Sequence, residues 1–182
     1  MRTVNAGLFY SVDGVAEAPN EWQFDSFDDE IGAALGKVMV STDAVLMGRI
    51  GYQQWASYWP TAEDPFADFI NPVRKYVASR SLTGDLVWQN ARLITGDLID
   101  FVRELKQTDG GDISICASIS LVRQLLHAGL LDDLILITHP VVAGGGRRAL
   151  FDPDGPTTRL ELKDAQITSK GNIMATYGLR SG

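Results

Sequence analysis

The chain has 182 residues, which is the usual length of one domain. It carries 16 basic and 23 acidic residues, a formal net charge of −7, and 45% of its residues are hydrophobic. This composition excludes a disordered chain, and the negative charge argues against a nucleic-acid partner because it repels phosphate backbones. No apolar run reaches the roughly 18 residues that a membrane span needs, and the start MRTVNAGLFYSVDG does not have the pattern of a signal peptide. We therefore expect a cytoplasmic protein without a membrane partner.

The chain carries few residues that bind metals or form disulfides. With a single cysteine, Cys116, no intrachain disulfide is possible, and two histidines add little to a zinc site, so no metal is expected. The patterns GxGxxG, GxxxxGK[ST] and GxSxG do not occur, which argues against a common Rossmann site, a P-loop and a serine hydrolase. Gly144-Gly145-Gly146 has no helical pattern behind it and is interpreted mainly as a flexible turn. His127 is interpreted as a surface residue.

Strand and helix patterns alternate along the chain. Strands are predicted at 3–10, 44–47, 75–79, 112–116 and 134–142, with weaker candidates at 87–89 and 92–95. Helices are predicted at 27–38, 50–56, 66–70, 98–106 and 118–128. Two alternating segments, 159–167 and 172–179, flank the turn Lys170-Gly171-Asn172 and predict a closing hairpin.

This order of elements predicts an α/β fold with a mostly parallel central sheet flanked by helices. The hairpin adds an antiparallel edge at the C-terminus. Because no repeat, linker or low-complexity tract interrupts the chain, one domain over residues 1–182 is expected.

Glycine, serine and arginine recur where three predicted strands end, in Met47-Gly48-Arg49, Ser79-Arg80-Ser81 and Cys116-Ala117-Ser118. Ligands of open α/β sheets bind outside the carboxyl ends of the strands, where helix N-termini offer unpaired N–H groups. Each residue alone is explained as well by a turn, a solvated side chain or a helix cap. Their recurrence favours a site for a ligand with several phosphates.

The loop after the first strand supplies further candidates. Asp13 is either a turn residue or a carboxylate that orients a heterocycle or relays a proton. Trp22, Phe27 and Tyr52 are candidates for an aromatic substrate pocket, although aromatics at such positions are more often part of the core. Asp25, Asp28 and Asp29 lie near the predicted start of the first helix, but acidic residues in a first turn usually compensate the helix dipole, so no catalytic role is assigned to them.

The ordered strand-end motifs resemble a known family. Ser11-Val12-Asp13-Gly14, Val45-Leu46-Met47-Gly48-Arg49, Ser79-Arg80-Ser81-Leu82 and His139-Pro140-Val141-Val142 follow one another at fitting spacings. Together they are similar to the RibD C-terminal reductase domain, which has the dihydrofolate reductase-like fold. The resemblance runs from the first strand to the last.

The resemblance implies an NADPH-dependent oxidoreductase. Its reaction would resemble that of the 5-amino-6-(5-phosphoribosylamino)uracil reductase of riboflavin biosynthesis, with hydride transfer to a pyrimidine-linked ribosylamine or a related heterocycle. The implied cofactor-binding positions are Gly14, Gly48, Arg49, Ser79, Arg80, Ala117, Ser118, Leu121 and Val122. Asp13 is the implied catalytic position near the nicotinamide.

One position departs from the family pattern. Relatives often have glycine where this chain has Ala117, and a methyl group there is expected to stop the backbone from approaching a pyrophosphate or to forbid positive φ.

Three other functions stay open. The first is a dihydrofolate or pteridine reductase, for which an acid would be expected on the first helix. The second is a non-catalytic nucleotide-binding or assembly protein on the same fold. The third is a redox enzyme that depends on Cys116, and it fits poorly because this thiol ends an apolar strand. A homodimer is expected from the resemblance, with the run Leu130–Val142 and the final hairpin as possible contact surfaces.

Overall fold

The computed structural model describes residues 1–180, which form the predicted α/β fold. The strands are β1 (Val4–Ser11), β2 (Thr42–Gly48), β3 (Arg74–Ala78), β4 (Ala91–Leu93), β5 (Asp112–Cys116), β6 (Asp133–His139), β7 (Leu160–Ile167) and β8 (Ile173–Leu179). The helices are α1 (Asp29–Ser41), α2 (Arg49–Tyr58), α3 (Pro65–Ile70), α4 (Leu98–Gln107) and α5 (Ile119–His127). Among the described residues, no helix is both long enough and apolar enough to cross a bilayer.

The chain divides into two compact units, and each contains four of the strands. The first unit comprises Met1–Val4 and Ser41–Leu130, and its strands follow the order β4-β3-β2-β5, all parallel. The second unit comprises Asn5–Val40 and the chain from Leu131 onward, and its strands follow the order β1-β6-β8-β7. In the second unit β1 and β6 are parallel, whereas β6, β8 and β7 are antiparallel. The mostly parallel sheet with an antiparallel C-terminal hairpin is thus confirmed.

In the first unit, successive residues of β3 face opposite sides of the sheet. Val77 lies in a buried cluster with Tyr52 of α2 and Trp88, while Tyr76 on the opposite side packs edge-on against Phe101 of α4, with ring centroids 5.0 Å apart. Helix α4 begins at its N-cap Asp97, whose carboxylate accepts hydrogen bonds from two N–H groups of the first turn. Helices therefore cover both faces of this part of the sheet.

In the second unit, α1 packs on one face of the sheet through Ile31, which lies in a buried cluster with Ile137 and Met174. The hairpin closes at Gly171, whose φ of 79° suits a residue without a side chain. Beyond it, β7 is an edge strand with nearly every side chain exposed.

Two predicted strands differ from the structure. The strand predicted at 134–142 ends at His139, because Pro140 has no N–H group to donate to a neighbouring strand. The strand predicted at 87–89 was wrong. The Trp88 side chain lies in the core, the main-chain N–H of Trp88 donates to the Tyr52 hydroxyl at 3.3 Å, and Val87 is exposed. The single-domain prediction is not tested by the division into two units.

The first unit depends on a close approach between α2 and the β5–α5 turn. A Cβ placed on Gly51 would lie 2.7 Å from the Ala117 Cβ and would overlap the Ala117 carbonyl oxygen. Only glycine at 51 lets the first turn of α2 lie against the main chain of Ala117.

We expect Gly51→Ala to lower the free energy of unfolding by at least about 2 kcal/mol, because backbone must move to make room for the methyl group. Gly36→Ala is the matched control: Gly36 also lies inside a helix, but nothing stands within 4 Å of its would-be Cβ. There, alanine should stabilise the protein by about 0.5–1 kcal/mol through helix propensity. Urea unfolding measures both values, and equal effects of the two substitutions would contradict the close approach.

Candidate active site

The β2–α2 turn presents an open helix N-terminus. Gly48 precedes α2 with extended dihedral angles and provides no side-chain cap, so no side chain satisfies the N–H groups of the first turn from that position. Arg49, the first helical residue, is exposed, and its guanidinium donates to the Gln53 side chain at 3.1 Å. Together the open N-terminus, the helix dipole and Arg49 favour an anion at this turn.

The β5–α5 turn lies directly beside the β2–α2 turn. Ser118 is the N-cap of α5, and its hydroxyl oxygen accepts a hydrogen bond from the Leu121 N–H at 3.3 Å. A Cβ on Gly48 would lie 2.6 Å from that oxygen, so the two turns touch. The structure therefore brings together Gly48, Arg49, Ala117 and Ser118, as the sequence predicts.

The third turn follows β3, the other neighbour of β2. The Ser79 hydroxyl oxygen accepts hydrogen bonds from the N–H groups of Ser81 at 3.1 Å and Leu82 at 2.9 Å, so Ser79 shapes the turn itself. Arg80 is exposed and makes no ion pair with any residue in 1–180. It is a cation available to a ligand.

Three predicted site residues have buried side chains in the first unit. Leu121 and Val122 are 2% and 1% exposed, and their N–H groups already donate to the Ser118 hydroxyl and carbonyl oxygens. Tyr52 is 4% exposed, and its hydroxyl accepts from Trp88. Their side chains belong to the core that supports the turns, so they are not available to contact a ligand.

Ala117 overturns the expectation that a methyl group forbids positive φ at this turn. Its φ is 51°, in the left-handed region, and the residue is exposed. For a non-glycine residue this conformation costs about 1–2 kcal/mol, which the surrounding structure must offset.

In the second unit, Asp13 holds the loop that follows β6. Its carboxylate accepts hydrogen bonds from the Ser11 hydroxyl at 2.6 Å and from the Ala143 and Gly144 N–H groups at 2.8 Å each. These hydrogen bonds lower the pKa of Asp13 to about 2. At neutral pH the carboxylate is ionised, so it can orient neighbouring groups but does not serve as a proton donor.

Gly14 follows Asp13 with a φ of 85°, and a Cβ there would lie 3.2 Å from the Tyr10 hydroxyl oxygen. Burial is the largest cause that raises the pKa of Tyr10, and the Asp13 charge adds to it. The Tyr10 phenol is therefore neutral beside this loop.

The loop after β6 is pinned rather than freely flexible. Gly144, Gly145 and Gly146 all have positive φ, and the Arg147 guanidinium pairs with Glu21 at 2.9 Å. The Arg148 N–H donates to the Glu17 carboxylate at 2.9 Å. Carboxylates from the first loop thus fix the position of the glycine-rich loop.

Sequence reasoning missed a buried polar network at His139, which is 0% exposed. The Asn172 amide nitrogen donates to Asp28 at 2.9 Å and to the Ser26 carbonyl oxygen at 2.7 Å, so its amide oxygen faces His139 Nδ1 at 2.6 Å. That oxygen needs a donor, which places the proton on Nδ1 and leaves Nε2 to accept from the Gln23 amide at 3.2 Å. Burial lowers the pKa of His139, so the ring stays neutral. A lone histidine in an apolar run gave no signal of this network.

Of the three aspartates considered for the first helix, Asp28 is the buried one. Its carboxylate caps α1 by accepting from the Ile31 N–H at 3.0 Å. Burial alone would raise the pKa of Asp28, but hydrogen bonds from Thr168, Ile31, Asn172 and Lys170 outweigh it and lower the pKa. The carboxylate is committed to structure.

The two aromatic candidates of the second unit differ. Trp22 is 2% exposed, donates its indole N–H to the Glu17 carbonyl oxygen at 2.8 Å and packs on His139, so it is core. Phe27 packs edge-on against Phe9 but keeps 42% of its surface exposed. Of these two, only Phe27 has a face available to a substrate.

Cys116 lies in an environment that disfavours its thiolate. Burial raises the pKa of its thiol to about 12, so the reactive thiolate does not form at neutral pH. This finding argues against a redox enzyme that depends on Cys116.

Replacing Ala117 by glycine should raise the free energy of unfolding by up to about 1 kcal/mol, because glycine adopts positive φ without steric cost. Guanidinium unfolding of the variant and the parent protein measures the difference. A loss of stability would show that the Ala117 methyl contributes more through packing than it costs in backbone strain.

Asp13→Asn should loosen the glycine-rich loop, because a neutral amide has one acceptor oxygen for the Ala143 and Gly144 N–H groups. Hydrogen exchange at these two amides should accelerate by roughly tenfold or more. Asp154→Asn, an exposed aspartate outside the contact, is the control. Unchanged exchange at both amides would refute the role of Asp13 as the anchor of this loop.

Comparison with known proteins identifies the family of this chain. The RibD C-terminal domain family matches residues 2–174. The protein YyaP of Bacillus subtilis (strain 168), itself uncharacterized, is 28% identical, and the match spans 97% of this chain and 94% of YyaP.

Solved structures show the same fold at low identity. One is a protein from Shewanella sp. PV-4 that is provisionally described as a riboflavin biosynthesis protein. It superposes with a TM-score of 0.74 at 17% identity, and the match covers 98% of this chain and 99% of that one. A pyrimidine reductase-like protein from Corynebacterium diphtheriae gives a TM-score of 0.68 at 17% identity, covering 100% and 93% of the two chains. RibD of Acinetobacter baumannii superposes with a TM-score of 0.69 at 19% identity. The match covers 100% of this chain and 59% of the RibD chain. The chain belongs to the RibD C-terminal domain family.

Proposed function

We propose that the protein is an NADPH-dependent reductase that transfers hydride to a pyrimidine-linked ribosylamine or a related heterocycle. Family membership supports a reductase of the riboflavin-pathway type, and the strand-end turns of the first unit support a nucleotide cofactor.

The observation that carries the proposal is the adjacency of three turns. They follow β3, β2 and β5, which are neighbouring parallel strands, so their carboxyl ends lie at one edge of the sheet. Two exposed arginines, Arg49 and Arg80, flank the uncapped N-terminus of α2 at this edge. Guanidinium groups and free N–H groups are the donors that phosphates prefer.

The shape of the turns suits a phosphate as well. Gly48 has no side chain, and its would-be Cβ would lie 2.6 Å from the Ser118 hydroxyl oxygen, so the Gly48 main chain and this hydroxyl lie at the same point. The exposed residue Ala117 precedes Ser118. These residues form a small polar cradle, and the donor set fits a pyrophosphate.

In this proposal Gly48, Arg49 and Ser118 hold the cofactor phosphates, and Arg80 holds the 2′-phosphate or the adenosine end. NADPH supplies the hydride when bound, and the protein orients it. Asp13 and Gly14 correspond to the family positions near the nicotinamide. With its low pKa, Asp13 would act as a fixed negative charge that positions the loop after β6.

A pteridine substrate has less support. That reaction calls for a carboxylate on the first helix that can share a proton with the ring, and Asp28 instead holds four groups of its own unit. A non-catalytic nucleotide-binding protein would use the same cradle without turnover, and assays of NADPH oxidation with the two substrate classes distinguish these alternatives.

Arg49→Ala and Arg80→Ala should each weaken NADPH binding by at least about 1 kcal/mol, or roughly fivefold in Kd, because each removes a charge-assisted contact to phosphate. Isothermal titration calorimetry measures the change. Arg103→Ala is the control, because Arg103 is exposed on α4 and pairs with Asp100 at 3.0 Å. Unchanged affinity in both arginine variants would overturn the cradle assignment.

A thermal-shift titration tests the cofactor itself. A ligand that binds only the folded protein at 100 times its Kd adds about 2.7 kcal/mol, which raises the melting temperature by several degrees. NADPH should give a larger shift than NADH. The absence of any shift at millimolar NADPH would refute the proposal.

We also keep a homodimer as a proposal. The run Leu130–Val142 is a poor candidate for the contact, because Leu131, Leu134 and Ile137 are buried within their own unit. The final hairpin is a better one, since its strand β7 exposes apolar side chains such as Leu162 and Ile167.

A further inference from the structure

Lys75 is a fully buried lysine that the proposed reaction does not use. The residue is 0% exposed and lies on β3, on the face that packs against Trp88. Among residues 1–180 no carboxylate pairs with its ammonium group. A buried lysine without an anionic partner is rare, since burial of an unpaired charge is costly.

Main-chain carbonyl oxygens take the place of a carboxylate. Lys75 Nζ donates to the carbonyl oxygens of Asn71 at 2.8 Å, Val73 at 2.8 Å and Gln89 at 3.0 Å. The Trp88 ring lies on a further side, with its centroid 4.5 Å from Nζ. Each N–H of the ammonium group thus has one oxygen, and the aromatic face offers additional negative potential.

Three carbonyl oxygens and an aromatic face surround a single positive charge here. Carbonyl oxygens that converge on one point, without a carboxylate, suit a singly charged ion with weak hydration. Burial lowers the pKa of Lys75 to about 8, so the ammonium form still predominates at neutral pH.

The enclosed cation joins the 71–73 turn before β3 to the far end of the segment that follows β3. The segment from Ser79 to Asn90 leaves the end of β3 and returns to the beginning of the same strand, where the Asn90 carbonyl accepts from the Lys75 N–H at 2.8 Å. Trp88 and Asn90 also bond to the 71–73 turn, through the Asn71 side-chain oxygen at 2.9 Å and the Pro72 carbonyl at 2.7 Å. The ammonium group lies at the centre of these contacts.

We propose that three carbonyl oxygens and the Trp88 ring form a monovalent-cation site whose resident ion is the ammonium group of Lys75. Through this site Lys75 is a positioning residue for the segment that carries Ser79 and Arg80. The second statement rests on the proposed cofactor function, whereas the first does not.

The site should accept a free cation once the tethered one is removed. Lys75→Ala leaves the carbonyl oxygens without donors, and its melting temperature should fall by roughly 5–10 °C in lithium chloride. Ammonium or potassium chloride at the same ionic strength should raise the melting temperature of this variant again by several degrees, because these ions match the lost group in size. The rise should saturate as the salt concentration increases. Tetramethylammonium chloride, which is too bulky, should not.

Lys37→Ala, on the exposed face of α1, controls for general salt effects and should respond equally to all four salts. If the melting temperature of Lys75→Ala depends on the four salts in the same way as that of Lys37→Ala, the proposed cation site is refuted. Lys75→Met keeps the aliphatic stem without the charge, so it keeps the test valid if the alanine variant does not fold. A Met variant as stable as the parent protein would also overturn the proposal.

The positioning role has its own measurement. In lithium chloride, Lys75→Ala should bind NADPH several-fold more weakly than the parent protein, and potassium should restore the affinity. Restored stability without restored affinity would refute the positioning role. If the parent protein does not bind NADPH at all, the proposed function fails, while rescue of stability by potassium or ammonium would still support the cation site.

Discussion

The main chain at Ala117 passes so close to Gly51 that no side chain fits between them. This approach brings the first turn of α2 against the β5–α5 turn, and with it the Gly48 main chain against the Ser118 hydroxyl. The positive φ of Ala117 and the absence of a capping side chain at Gly48 both belong to the same tight junction. The local geometry that the cofactor proposal uses is therefore set by packing between main-chain segments.

Charged side chains hold loops in both units. In the first unit, buried cations donate to main-chain oxygens: Lys75 serves three carbonyls, and Arg2, which pairs with Asp43, donates to the Gly111 carbonyl at 2.7 Å. In the second unit, carboxylates accept from main-chain N–H groups, as Asp13 does for the glycine-rich loop. In both cases the hydrogen bonds of one charged side chain hold a loop that is distant in sequence or connect two segments.

Much of the fold could be predicted because local patterns and tertiary packing agree in it. The strand at 112–116 was predicted to the residue, since an apolar run lies between two glycines and a helix cap. Contacts between distant segments could not be predicted in the same way. Nothing in the sequence around Lys75 shows that three carbonyls will converge on its ammonium group. In the same way, the pairing of His139 with Asn172 joins residues 33 positions apart.

The reliance of the second unit on carboxylates has a consequence for its behaviour in acid. Below its ordinary pKa of 3.8 an unfolded aspartate takes up a proton, whereas Asp13 in the folded chain resists until about pH 2, so its stabilising effect shrinks over that interval and disappears below it. Lys75 keeps its proton throughout, because its pKa of about 8 lies far above that interval. Acid should therefore release the glycine-rich loop while the segment that Lys75 holds keeps its shape, and partial acid unfolding of this protein should begin at the glycine-rich loop.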